Sequence, residues 1–402
     1  MQPVVFDEPY QFVPPFYSNW GPHILRHYVR RYVRKAYGVH SVESRHVERL
    51  RASIAGGNHI MLAPNHCRLA DPMVIGIMAL EVPTYLFAMA SWHLFKQSAF
   101  QSFIIRALGA FSVLREGNDR KSLEAAIDIL VDGKRPLIVF PEGALTAHCD
   151  IISEMMDGPT FLARQAVKRL KKAGRSRGVV IHPVAVRYQY NGDVEKAVGP
   201  TLDELEARLS WQPKHNLPMF ERIAKLGDAF LALKEIEYLG AAKTGNIYDR
   251  ADQFVETVLT RVENAWQQKD HSGGVVSRVK RLRTLILADM VAGKVTPEER
   301  ERRWYDLAAL YYAQQISHYP RDYITAGKNL PERVIETIER LEDDFVDHAH
   351  LYEPLHAVVE VGEAIPVGSE RDRGKEGDPI MAEVRRQLQS MMDGLAAERT
   401  PV

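Results

Sequence analysis

The chain lacks several features that would assign it to a large class. Only two cysteines, Cys67 and Cys149, occur in 402 residues and they lie far apart, so a disulfide framework is not expected and a reducing compartment is implied. Neither sign of charge dominates: 52 Lys plus Arg face 52 Asp plus Glu, which gives no electrostatic ground for a nucleic-acid partner. No apolar run reaches the roughly 18 residues that span a bilayer. The most apolar region, 72–108, is broken at Glu81 and Pro83. The first residues have neither the basic start nor the apolar core of a signal peptide. There is no Gly-x-Ser-x-Gly elbow, which leaves a serine nucleophile without support. On the helices expected between about 200 and 350 no His and Glu fall at metal-ligand spacing, no metal is expected, and no internal repeat is evident.

What the chain does have is concentrated between Asn58 and Asp71, NHIMLAPNHCRLAD. Ile60 to Ala63 is an apolar run of buried-strand length, and Pro64 should end it. Asn65 and His66 then stand just past a strand's carboxyl end, the edge where open α/β sheets bind ligands. Asp71 before Pro72 is a helix start, with Asp as the cap and Pro at the first helical position. One loop thus carries an imidazole and a carboxylate. Such a pair can remove a proton from a hydroxyl, the carboxylate fixing the tautomer and favouring the imidazolium. Taken alone, a His and an Asp five positions apart arise often by chance. Cys67, beside His66, is an unfavoured nucleophile because adjacent loop residues rarely face each other.

Three further stretches follow: GAFSVLR at 109–115, PLIVFPEG at 136–143 and VVIHPVAVRY at 179–188. Each places a polar or glycine-containing element at or near the carboxyl end of a strand. With the His66-x4-Asp71 block, the Gly109–Arg115 block, intact Phe140-Pro141-Glu142-Gly143 and Ile181-His182-Pro183-Val184, the ordered set resembles the glycerolipid acyltransferase family over about residues 55–190. Outside that range only residues near 358–367 carry a family signal.

The resemblance implies that His66, oriented by Asp71, deprotonates an acceptor hydroxyl that attacks an acyl thioester, either acyl-CoA or acyl-carrier protein. It implies no metal and no organic cofactor. It places Arg115, Glu142 and Gly143 at a phosphorylated acceptor, most simply 1-acylglycerol-3-phosphate in phospholipid biosynthesis. A planar guanidinium suits a phosphate; the plain alternative for Arg115 is a surface salt bridge. The family often continues its third block with Thr-Arg-Ser, whereas Ala144-Leu145-Thr146 stand here, so a cation is missing. Arg68 is expected to supply charge instead, and Asn65 and Arg68 join the expected substrate-binding set. A thioester hydrolase using the same pair, or a non-catalytic lipid-binding protein of the same fold, are the alternatives.

The expected fold is an αβα sandwich around a mostly parallel sheet, interrupted by an all-α insertion. Residues 1–40 form an arm and a basic amphipathic helix at 22–36; 41–195 form the main acyltransferase part; 196–356 form the insertion; 357–402 supply the last strand and closing helix. Helices are expected near 72–80, 98–107, 119–132, 159–173 and 379–396, with a strand at 84–90. Five apolar stripes mark the insertion's helices, a loop spans 144–158, and a charged loop spans 368–379. The basic knot Arg169, Lys171, Lys172, Arg175 and Arg177 fits a helix C-terminus or a docking site for an acidic carrier protein or the phosphates of CoA. The helix at 22–36, with Arg30, Arg31 and Arg34, either lies on an anionic membrane or packs with a solvated basic face. Trp92, Leu94, Phe95 and Phe100 are candidates to assist it. The expected location is the inner face of a membrane, peripherally, from the cytoplasm.

Overall fold

The computed structural model describes residues 5–82, 84–117, 119–175, 177–209, 212–324, 329–346, 349–371 and 377–402. Helix α1 (Trp20–Tyr37) leads to strand β1 (Val39–Arg45), α2 (Val47–Ala55), β2 (His59–Pro64) and α3 (Asp71–Ala79). Then come β3 (Phe87–Ser91), short α4 (His93–Lys96), α5 (Ala99–Ala107), β4 (Ala110–Val113), α6 (Arg120–Asp132), β5 (Leu137–Ile138), α7 (Gly158–Lys172) and β6 (Val179–Tyr190). Six helices follow: α8 (Val194–Arg208), α9 (Met219–Leu239), α10 (Ile247–Ala265), α11 (Val275–Val291), α12 (Pro297–Ser317) and α13 (Pro331–Val346). Strands β7 (Leu355–Val361) and β8 (Ile365–Val367) and helix α14 (Pro379–Ala397) close the chain. Asn118, at the expected start of α6, and residues 372–376 of the expected charged loop lie outside the described residues.

The chain divides into two compact units. One comprises Tyr10–Tyr190 and Glu353–Arg399 and holds the sheet. Its eight strands run β1-β7-β6-β2-β5-β3-β4, with β8 beside β6. Strands β2, β3, β4, β5 and β6 are mutually parallel, and β1, β7 and β8 run the other way. Helices cover both faces. His59 on β2 reaches the Leu130 carbonyl of α6 at 2.7 Å, while His182, in register with Leu62 and so on the opposite face, meets Ser53 of α2 at 2.8 Å. The fold is therefore the expected α/β sheet with flanking helices.

One feature of the sheet escapes the sequence pattern, and a second, read from the sequence, runs against strand propensity. Strand β1 is an edge strand with only one fully buried residue, Val39, so it has no apolar signature. Pro183 sits inside a fully buried central strand, where a missing N–H should break a ladder. It is tolerated because β6 changes partner there, from β8 at Ile181 to β7 at Val184, and the turning chain donates the Gly362 N–H to the Pro183 carbonyl at 2.7 Å. The N-terminal arm lies along β4: Val13 N and Tyr10 Oη both meet Ser112 Oγ, at 2.8 and 2.7 Å.

The other unit comprises Asn191–Tyr352 with Thr400–Val402 and the described part of Met1–Pro9. Sequence patterning marks five of its six described helices and misses α8. It also misses a repeat that the structure makes plain. Arg222, Arg250 and Arg278 lie 28 residues apart, each in the first turns of a helix. Each guanidinium grips a buried glutamate of the preceding helix, Glu206, Glu235 or Glu263, through Nε to Oε1 and Nη2 to Oε2, at 2.7–3.1 Å. The glutamate's Oε2 also takes a donor eight residues onward: the backbone of Lys214 or Lys243, or the ring of His271. Core positions recur at the same period, as in Leu226, Phe254 and Leu282, all buried. The period hides because it resides in polar clamps and not in a shared motif. Such clamps favour one helix register, since leaving either partner unpaired inside is costly.

Candidate active site

Strand β2 is buried throughout, which fixes where its carboxyl end delivers the next residues. Asn65 continues the ladder with its side chain: Val186 N donates to Oδ1 at 2.7 Å and Nδ2 donates to Val186 O at 3.0 Å. Both halves of this buried amide are thereby spent on β6. His66 follows. Its Nδ1 lies 2.9 Å from Asp71 Oδ2, and because a carboxylate only accepts, Nδ1 carries the proton of the neutral ring and leaves the lone pair on Nε2. Nε2 makes no hydrogen bond among the described residues. The ring stacks on Phe140 at 4.0 Å between centroids, which fixes its plane.

Asp71 is fully buried, and its role differs from the expected cap. Helix α3 starts at Asp71 with Ala70 in the cap position. The carboxylate turns back into the loop, where Oδ2 accepts from Cys67 N at 2.8 Å and Arg68 N at 3.0 Å as well as from His66. The loop amides and the helix N-terminus thus both point at this carboxylate. Oδ1 accepts from Tyr188 Oη at 2.7 Å. Cys67 is buried, its thiol directed at Asp71 Oδ1 and the Val186 carbonyl, an arrangement unsuited to a nucleophile.

Glu142 is buried too, with Oε1 accepting from His66 N at 2.8 Å and Oε2 from Ser153 N at 2.9 Å. Burial, above all, pushes its carboxyl up to about 7; the two backbone donors pull the other way and the Asp71 charge adds to the rise. Glu142 thus ties the His66 loop to the segment after the third block. Thr146 strengthens that tie by donating its N–H and hydroxyl to His66 O at 2.9 and 3.1 Å. Gly143 turns the chain at φ 68°, and a Cβ there would come within 2.6 Å of Met156 Cε. Position 143 therefore favours glycine through its backbone conformation, since the flexible end of Met156 can move aside.

Arg115 follows β4 and makes no hydrogen bond or ion pair among the described residues. Burial lowers its pKa, partly opposed by Glu116. His93, past the end of β3, is pushed down to about 4 by burial and then by the Arg115 charge. In strand order β4 stands three places from β2, roughly 14 Å along the sheet edge. Arg68 lies over the Tyr188 ring at 5.4 Å. Sequence reasoning missed Tyr188, Phe140 as the stacking partner, and the fully buried ion pair of Arg187 with Asp150. Only the strand alternation that turns Val186 and Tyr188 to one face hinted at any of them. Among the described residues, no three His, Cys, Asp or Glu side chains group as metal ligands. No described helix is long and apolar enough to cross a membrane.

This arrangement is a hydrogen-bonded acid–base pair at a sheet edge whose second imidazole nitrogen makes no hydrogen bond among the described residues, with the Arg115 guanidinium along that edge. Residues 41–187 match the family model described as Acyltransferase. No curated protein matches the chain.

Proposed function

We propose that the chain, whose residues 41–187 match the Acyltransferase family model, is an acyltransferase that moves a fatty acyl group from acyl-CoA or acyl-carrier protein to the hydroxyl of a lysophospholipid, most simply 1-acylglycerol-3-phosphate. The free Nε2 of His66, opposite an Nδ1–H held by Asp71, is the observation that carries the reading. The acceptor O–H donates to Nε2 and gives up its proton as its oxygen attacks the thioester carbonyl. The tetrahedral adduct expels the thiolate, which takes the proton back from the imidazolium. An ester and a free thiol result. Asp71 keeps its negative charge throughout and stabilises the imidazolium.

Arg115 is the candidate for the acceptor's phosphate: a half-buried cation with no hydrogen-bonded partner among the described residues gains from an anion that binds two of its donors. Asn65, Glu142 and Gly143 act through the backbone they hold, shaping the loop against which the acceptor lies, and Arg68 adds positive charge beside it. This reading fits phospholipid biosynthesis at the inner face of a membrane, approached from the cytoplasm.

A lysolipid acceptor partitions into bilayers, so the protein docks on one. On α1, Val33 turns inward, while Trp20, Ile24, Tyr28 and Tyr32 form an exposed stripe at four-residue spacing. Phe103 of α5 lies 6.1 Å from Trp20 between ring centroids, and Phe100 is 75% exposed. Trp92 and Phe95 are buried and drop out of the expected set. Aromatic rings suit the membrane interface, and Arg30, Arg31, Arg34 and Lys35 beside them suit anionic headgroups.

The test is to incubate the purified protein with acyl-CoA or acyl-carrier protein and a panel of lysolipids, then identify products by mass spectrometry. Acylated lysophosphatidic acid supports the proposal. Free fatty acid at the same rate with and without acceptor would instead make the protein a thioester hydrolase.

A further inference from the structure

We propose that Tyr188 is a positioning residue of the His66–Asp71 pair, its phenol hydroxyl setting how much of the Asp71 charge is left for the imidazole. Only the kinetic arm of the test rests on the acyl-transfer reading.

The carboxylate of Asp71 is divided between two sets of donors. Oδ2 faces His66 Nδ1 and the amides of Cys67 and Arg68. Oδ1 faces the Tyr188 hydroxyl at 2.7 Å, with the Cys67 thiol at 3.7 Å. An O–H donor at that distance from an anion is a charge-assisted bond. It does two things. It fixes the rotation of the carboxylate so that Oδ2 points at His66, and it withdraws electron density that would otherwise strengthen the imidazolium. Tyr188 is itself immobile: it is 1% exposed, it pairs with Ala357 across to β7, and the Arg68 guanidinium lies over its ring. Burial, with the Asp71 charge next, raises its phenol well above the ordinary value, so the hydroxyl stays protonated and remains a donor.

The other titratable or charged groups facing the pair are Cys67 and Arg68 on the loop and Glu142 beyond β5. None of these supplies a hydroxyl donor to Asp71 among the described residues. A phenylalanine would fill the same space; only the hydroxyl reaches the carboxylate.

Two substitutions move the hydroxyl's effect in opposite directions. Tyr188→Phe removes the donor and keeps the ring. Incorporating 3-fluorotyrosine at 188 makes the phenol more acidic and a stronger donor with almost no change of shape. Three quantities are read: kcat and KM, the acidic limb of the kcat/KM profile, and the pH at which the His66 ring signals titrate by NMR in the substrate-free enzyme, assigned by their loss in His66→Ala. In Tyr188→Phe, Asp71 keeps more charge. The imidazole then holds its second proton to higher pH, the limb and the ring titration move up, and kcat falls on the order of tenfold with KM little changed. With fluorotyrosine both move down.

If the limb and the ring titration stay in place in both proteins, Tyr188 only packs and the proposal is wrong. The same holds if Tyr188→Phe loses activity in parallel with thermal stability and without a shift. Should Tyr188→Phe fail to fold, the fluorotyrosine protein decides alone. Because the NMR titration needs no substrate, absence of acyl transfer with every acceptor would remove the functional reading and leave the Tyr188 assignment to stand or fall on the ring signals.

Discussion

Replacing Glu142 with Gln should reverse sign in its effect on stability as pH changes. The wild-type carboxyl is raised from 4.5 to about 7, first by burial. Folding therefore holds this proton more tightly than the unfolded chain does. The stability it contributes is complete below about 4.5 and is lost as pH rises through about 7. At about 1.4 kcal/mol per unit, that loss approaches about 3 kcal/mol at pH 8. Gln carries no charge and escapes it. Gln also keeps one oxygen for His66 N but turns an NH2 toward Ser153 N, a mismatch worth about 1–3 kcal/mol at any pH. The variant should thus be less stable than wild type near pH 4.5 and equal or more stable near pH 8. Urea unfolding at half-unit steps across that range measures it. A stability difference that stays constant between the two ends would show that Glu142 does not titrate between them, and the reasoning would fail.

Arg115→Ala should raise KM for a phosphorylated acceptor while leaving KM for the thioester unchanged, and Lys should rescue only in part because a point charge lacks the two-pronged geometry; equal effects on both substrates would mark Arg115 as structural. Asp150→Asn leaves the buried Arg187 guanidinium without its ion-pair partner and should cost about 3–5 kcal/mol in chemical denaturation, while Arg187→Met with Asp150→Leu recovers most of it. Trp20→Ser with Tyr28→Ser should weaken sedimentation with anionic liposomes at every salt concentration. Arg30, Arg31 and Arg34 changed together to Ser should remove only the salt-sensitive part, about 1 kcal/mol per cation at most.

How much of this was legible in the sequence depended on chain separation. The His66–Asp71 pair spans five residues of one loop, and β2 and Pro64 announce the sheet edge that carries it. The Phe-Pro-Glu-Gly block likewise marks its own turn. By contrast, Tyr188 meets Asp71 across 117 residues and Asn65 meets Val186 across 121, contacts that no local pattern encodes. Asp71 before Pro72 reads as a helix cap because propensity sees only neighbours; the structure instead spends the carboxylate on loop amides, an imidazole and a distant phenol. The helical unit was legible as amphipathic stripes, but its repeat rests on glutamate–arginine clamps with 15 or 16 residues between partners, beyond the reach of a helical period. On α1 the amphipathic pattern was visible, but that Val33 turns inward while Ile24, Tyr28 and Tyr32 stay exposed was decided by packing.

The most direct test of the central claim is acyl transfer by His66→Ala beside wild type, with folding checked by thermal unfolding and the product identified by mass spectrometry. If the imidazole is the base, transfer falls by about 10²–10⁴-fold while the protein remains folded, and Asp71→Asn follows in the same direction. A folded His66→Ala protein that acylates its acceptor at close to the wild-type rate would contradict the account.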